Sequence, residues 1–459
     1  MMSCVSTMSS VSTMSTAVTT TSKEHDDQHT YKHLLSDRGL SGLTNIGNTC
    51  YLNSTLQILA HTKLLLGYLC GYQPDETVTH SKSGSFMTDL KNGALRKIEI
   101  EYRKKTKSDS EKPIISKSDF IQQCQNTISH QLKRLFETMW AENNEITPST
   151  FKKQLGIRYP MFSGGNQNDS PEAFDAILDN IHEETKSETT IEFRSVPDGL
   201  RDYISKRNKI IQRFNLSSSE EKDIIRQELI ELKSAHPADD IKACSYVFFK
   251  ERYEKEYSII NTIFEGVFCS QIYCDSCHRT TNSFEPFHTF QISIPETSES
   301  TLEECLANFS ATEELIEHNQ YKCENCDKHV DAKKKMFIWG PPEILSIHLK
   351  RFKLVGGTTM IKIESKIIYP LTGLHLDDNY IETNKSNATY DLIGIIEHFG
   401  SYGFGHYIAK CKNPFNDEWY EFNDSHVHLI PKDKYTELIT KDAYMLFYEN
   451  VNPSTVIVQ

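Results

Sequence analysis

An α+β fold with separate helical and strand-rich parts is predicted by three features of this sequence. Apolar residues recur at helical spacing through its first half. Leu52, Leu56, Leu59 and Leu66 suit one buried face, and Leu132, Leu135, Phe136 and Met139 suit another. From about residue 262 the pattern changes to alternation, with strands expected over 284–294 and 335–348 and several shorter ones over 391–450. Helices thus come first and strands later, which argues against alternating βαβ units.

The elements follow in order. Residues 1 to about 38 are rich in Ser, Thr and Met, show no apolar period and predict a disordered tail, with order beginning near Gly39. A helix is expected over 50–70, with Thr49 or Asn48 as its cap. The polar, lysine-rich stretch 75–118 reads as a loop or insertion. Further helices are expected over about 126–142, from Pro148, and over 171–184. In the highly charged segment 187–242, Ser218 and Glu221 form a capping box ahead of Ile225, Leu229 and Leu232. One or two exposed helices are expected there. A short tail follows at 453–459.

Bulk properties narrow the function. With 459 residues and 38% hydrophobic content the chain can bury a sizeable core. A net charge of −13 disfavours a nucleic-acid partner, because phosphate binding needs a basic face. Of the 12 cysteines, four fall in two Cys-x-x-Cys pairs and the rest are scattered, unlike the framework of a small secreted domain. The start of the chain lacks a basic stretch followed by an apolar run, so no secretory signal is read there. An intracellular protein, cytoplasmic or nuclear, is expected. No stretch approaches the roughly 18 apolar residues of a membrane span.

Two segments could carry nucleophilic chemistry. In the first, Gly42, Asn45, Gly47 and Asn48 lead into the helix whose first turn holds Cys50. The positive end of a helix dipole favours thiolate, and glycines admit a close substrate. The amide of Asn45 could donate to an oxyanion. A buried structural cysteine is the bland alternative. In the second, His406 follows Gly403 and Gly405 at the start of an alternating strand, and a hairpin would bring Asn423 or Asp424 beside it. A catalytic base needs such a partner on its second ring nitrogen.

The segments around Cys50 and His406 resemble the cysteine and histidine boxes of the ubiquitin-specific protease family. The likeness runs from about Gly42 to Asn450. Its landmarks include residues 167–172, 342–352 and 443–448. The resemblance implies a papain-like cysteine peptidase fold with thumb, palm and zinc-bearing fingers. The catalytic domain would span 39–452: a helical thumb at 39–186, the charged insertion at 187–242, fingers at 243–340 and a β-rich palm at 341–452. It implies Cys50 as nucleophile, His406 as base, Asn423 as orienting residue, Asp424 as helper and Asn45 as oxyanion donor. It implies substrate contacts from Gln167, Asp169, Glu172, His398, Gly405 and Tyr407, with Asp169 and Glu172 meeting arginines of a ubiquitin tail. Gly400, Gly403 and Gly405 fit a narrow channel for that tail. The sequence departs from the family pattern at Asn168, where a second glutamine is usual, and at Ala173 and Phe174, where a Phe-Leu pair is usual.

The expected activity is thiol-dependent hydrolysis of the bond after ubiquitin's terminal glycine, with ubiquitin and ubiquitinated proteins as partners and a monomeric enzyme. A peptidase for a ubiquitin-like modifier, a catalytically weak ubiquitin-binding scaffold and a zinc-ribbon nucleic-acid binder are the competing readings. Cys274, Cys277, Cys323 and Cys326 form two knuckles whose four thiolates can close a tetrahedron around one structural zinc ion. No organic cofactor is expected.

Overall fold

The structure is a computed structural model that describes residues 35–71, 122, 124–191, 193, 196–376 and 388–452. The expected insertion at 75–118, most of the N-terminal tail and the tail 453–459 lie outside the described residues. Residues 35–38, expected to belong to the tail, are packed. Leu35 is buried, and Asn143 and Asn416 donate to the carbonyls of Asp37 and Ser36.

The first half is helical: α1 (Cys50–His61), α2 (Lys63–Cys70), α3 (Ile128–Ala141), α4 (Ser149–Arg158) and α5 (Ser170–Thr185). Helix α1 is buried along its whole length, polar positions included. Several of those polar side chains bond the surrounding backbone: Gln57 donates to the Ser41 carbonyl and Thr55 to that of Tyr51. The single helix expected over 50–70 breaks at Thr62, whose backbone is extended and whose hydroxyl bonds the Ile58 carbonyl.

The charged segment forms α6 (Asp198–Leu216), α7 (Ser219–Ala235) and α8 (Pro237–Glu256), followed by the short α9 (Ile259–Ile263). Glu221 accepts from the Ser218 amide at 3.3 Å, and Ile225 packs on Ile210 and Phe214, with Leu229 and Leu232 beside them. Helix α8 runs through residue 242, where a boundary was expected. Ile241 and Phe249 pack on Cys269, Phe337 and Trp339, which joins this region to the strands that follow.

Those strands are β1 (Gly266–Cys274), β2 (Thr280–Phe287), β3 (Thr289–Ser293), β4 (Glu299–Thr301), β5 (Glu313–Leu315), β6 (Tyr321–Cys323), β7 (Lys328–Val330) and β8 (Ala332–Gly340), with α10 (Leu302–Phe309) between β4 and β5. The rest are β9 (Ile344–Lys350), β10 (Phe352–Val355), β11 (Thr359–Lys362), β12 (Lys366–Ile368), β13 (Leu374–Leu376), β14 (Ala388–Ser401), β15 (Phe404–Lys412), β16 (Trp419–Asn423), β17 (His426–Ile430) and β18 (Ala443–Asn450). One sheet has the order β2-β1-β8-β5, with the β6–β7 hairpin near its tip. A larger one runs β17-β16-β15-β14-β18-β9-β3, with β13 beside β14.

Two expected strands divide between these sheets. The stretch 284–294 splits at His288 into β2 and β3. The stretch 335–348 splits into β8 and β9 at Pro341 and Pro342, which have no N–H for a ladder. The large sheet separates two cores. Ile396, Tyr407, Ala409, Cys411 and Phe447 face α1, α3 and α5, whereas Ile395, Leu446 and Tyr448 face Leu302, Tyr369 and Leu374 on the other side.

Candidate active site

The loop before α1 is wedged against the turn after β16. A side-chain carbon on Gly42 would lie 2.1 Å from the Ser425 carbonyl oxygen, so only glycine fits. The Leu43 amide donates to the Asp424 carbonyl at 2.8 Å. Asn45 folds the loop on itself: its Oδ1 accepts from the Gly47 and Thr49 amides, each at 3.1 Å. Its Nδ2 donates to Asp424 Oδ2 at 3.0 Å. Thr49 occupies the cap position, yet its hydroxyl turns back to accept from the Ile46 amide, so the expected side-chain cap does not form. Cys50, 3% exposed, is thereby placed in the first turn of α1.

His406 meets it from the large sheet. Strands β15 and β16 pair from Lys412 and Trp419 up to Ala409 and Phe422. Beyond that, His406 Nε2 donates to Asn423 Oδ1 at 2.7 Å. That bond orients the ring and leaves Nδ1 for the thiol. The pKa of His406 is raised to about 9, chiefly by its hydrogen bond with Cys50; burial opposes the rise and the Asn423 bond adds to it. The ring therefore holds its proton at neutral pH. Of the two expected orienting residues, Asn423 makes the direct bond. Asp424, in a left-handed backbone turn (φ 49°), instead clamps the cysteine loop through Asn45 and accepts from Asn53 Nδ2 at 2.8 Å.

On the face of β14 and β15 that looks toward α5, the expected substrate residues gather. Gln167 forms a two-way amide pair with Gly405, donating to its carbonyl at 2.7 Å and accepting from its N–H at 2.9 Å. Asp169 accepts from the hydroxyls of Tyr407 and Tyr444, each at 2.9 Å. Burial pushes its carboxyl up against the opposing effect of those bonds. Glu172 lies exposed in the first turn of α5. His398 was expected among the substrate contacts, but it is 3% exposed and lies beneath Gly405, where an added side-chain carbon would fall 2.2 Å from its Nε2. Burial lowers its pKa to about 4, so it backs the strand as a neutral ring. The glycines expected to line a channel serve their own hairpin. Gly400 has φ 115° and pairs with Gly405, and a side chain on it would strike the Phe404 carbonyl.

Three participants were not singled out from the sequence. Asn53 bonds Asp424, Tyr444 bonds Asp169, and Tyr51 accepts from Asn168 at 3.2 Å. An asparagine three residues after Cys50 in an otherwise buried helix was the one available signal.

At the tip of the smaller sheet the four expected cysteines converge. Their sulfurs lie within 4.8 Å of one another. Cys274 Sγ is 3.9 Å from Cys326 Sγ, and Cys277 Sγ is 3.7 Å from Cys323 Sγ. A disulfide would need about 2.05 Å. A tetrahedron with metal–thiolate bonds of about 2.3 Å has edges of about 3.8 Å, so the donor set fits a four-coordinate metal ion.

The profile of the family described as "Ubiquitin carboxyl-terminal hydrolase" matches residues 41–448. A protein of Acanthamoeba polyphaga mimivirus that carries this hydrolase name is 32% identical over 89% of this chain and 90% of its own length. Human ubiquitin carboxyl-terminal hydrolase 2 is 28% identical over 91% of this chain, which spans 56% of the human protein. Among solved structures, the SAGA DUB module of Ubp8, Sgf11, Sus1 and Sgf73 bound to monoubiquitin aligns with a TM-score of 0.57 at 21% identity, covering 92% of this chain and 71% of that one. That likeness establishes a shared fold. No helix among the described residues is long and apolar enough to cross a membrane. The profile and the mimivirus relative together place this chain in the ubiquitin carboxyl-terminal hydrolase family of thiol-dependent cysteine peptidases.

Proposed function

We propose that this protein hydrolyses the peptide or isopeptide bond after the C-terminal glycine of ubiquitin through a thioester on Cys50. The observation that carries this is the Cys50–His406–Asn423 constellation, set beside the Gln167, Asp169 and Gly405 cluster. Cys50 thiolate attacks the glycine carbonyl. Protonated His406 gives its proton to the leaving lysine amine and then takes one from the water that hydrolyses the thioester. Asn45 carries two N–H groups. Asp424 anchors one, and the second, with the Cys50 backbone N–H, serves the oxyanion. Glu172 and Asp169 supply carboxylates for arginines of the ubiquitin tail.

Zinc is the metal this reading assigns to the four cysteines, which would hold the fingertip knuckles together. The eleven free cysteines among the described residues support a reducing compartment, cytoplasmic or nuclear. The test is hydrolysis of a fluorogenic C-terminal amide of ubiquitin. Wild-type protein turns it over, and Cys50→Ala abolishes turnover while keeping ubiquitin binding. An inert wild type, or an active Cys50→Ala, contradicts the proposal.

A further inference from the structure

His406 and its partner Asn423 border a second space. On the sheet face away from α1, an open cavity of about 470 Å³ has His406 and Asn423 in its wall. Strand alternation places Phe399 from β14, Ile408 from β15 and Glu421 from β16 on this same face. The expected tail residues occupy the opposite face, where His398, Tyr407 and Tyr444 stack toward Asp169. The dyad thus separates the two spaces.

The cavity has a graded lining. Phe399, 40% exposed, and Ile408 supply apolar walls. Beyond the hairpin tip Phe404 is 79% exposed and extends the apolar rim on the same side. The polar part holds three carboxylates, two of which are already neutralised. Glu397, 1% exposed, pairs with Lys410 at 2.9 Å and accepts from Thr440. Asp442 pairs with Lys362 at 3.1 Å. Glu421 lies opposite Lys410 in the ladder, but that lysine is committed to Glu397. Among the described residues Glu421 takes part in no ion pair within 4 Å. Glu421, with His428 across from it on β17, is thus the one carboxylate of the lining that no lysine engages, and it stands at the far end of the wall from His406.

We propose that this cavity binds a basic side chain of the leaving polypeptide, close in sequence to the lysine that carried ubiquitin. The proposal rests on the hydrolase reading above. A lysine or arginine suits the lining, since its aliphatic stem can lie along Phe399 and Ile408 while its head reaches Glu421. The cavity adjoins His406, which protonates the leaving amine, so the chain attached to that amine starts beside it. Glu421 and Phe399 are positioning residues for the leaving side, and the chemistry does not need them.

The test uses the full chain and ubiquitin joined by an isopeptide bond to short peptides. Both neighbours of the acceptor lysine are arginine, alanine or glutamate. Wild-type kcat/KM should favour the arginine peptide over the glutamate peptide by about twofold to fivefold, the upper range of a partly exposed ion pair. Glu421→Lys should reverse that order, and Phe399→Ala should flatten it. Both variants should cleave the fluorogenic ubiquitin amide, whose leaving group has no such side chain, within about twofold of wild type on the same reasoning. Equal wild-type rates on all three peptides would overturn the proposal. So would an unchanged order in Glu421→Lys, or parallel losses on every substrate, fluorogenic amide included. Wild type inert on the amide would overturn the hydrolase reading itself, and the cavity's role with it.

Discussion

At the residue scale, the chemistry depends on the charge state of His406. Its raised pKa is owed first to Cys50, so removing that thiol should lower it from about 9 toward the ordinary 6.5. An NMR titration of His406 in Cys50→Ala against wild type reads this directly. The sign fixes the pH behaviour: the stabilisation from the contact is complete below about 6.5 and is lost as pH rises through about 9. Turnover should fall on that alkaline limb as the leaving amine loses its acid. His406→Ala should cost about 10³-fold or more in kcat, whereas Asn423→Ala, which removes an orienting bond, should cost about 10–10²-fold. Cys50 and His406 could be picked out as a pair because each sits in a glycine-marked segment that the family's motifs single out, and the fold brings the two side chains into contact. The choice between Asn423 and Asp424 was not. Adjacent residues at a strand end point in different directions, and the left-handed turn at Asp424 that decides the matter leaves no mark in the residue types.

At the scale of elements, the site depends on how the cysteine loop docks against the turn after β16. Asp424→Ala removes acceptors for Asn45 and Asn53 and leaves the buried Asn53 amide with one partner fewer. A loss of about 1–3 kcal/mol in denaturant unfolding is expected, together with lower kcat. Gly42→Ala forces a carbon against the Ser425 carbonyl, with a loss of about 1–3 kcal/mol in the same measurement. Helix existence was legible from periodicity, as α3, α5 and the Ser218–Glu221 cap of α7 illustrate. Strand boundaries were harder. Alternation continues across His288 and across the Pro341 and Pro342 pair, yet the chain changes sheet at both places. The packing of α8 on β1 and β8 was invisible because its apolar residues meet partners distant in sequence, such as Trp339.

At the scale of the molecule, a helical layer and the large sheet hold the two catalytic segments together, and a separate sheet carries the cysteine cluster. Purified protein should contain about one zinc per chain by elemental analysis. Stripping it with a strong chelator should lower thermal stability and weaken ubiquitin binding, because the four-thiolate knot closes β1 onto the β6–β7 hairpin. An unchanged unfolding curve after metal removal would contradict that role. Folding also turns a scatter of thiols into a hierarchy: Cys411 and Cys305 are buried with their pKa values pushed up, four cysteines share a cluster, and Cys50 faces an imidazole. The most direct measurement is therefore to treat the full chain with ubiquitin bearing a C-terminal electrophile and to locate the adduct by peptide mass spectrometry. Modification of Cys50 alone, lost in His406→Ala, is the predicted result. Modification at any other cysteine, or none at all, would contradict it.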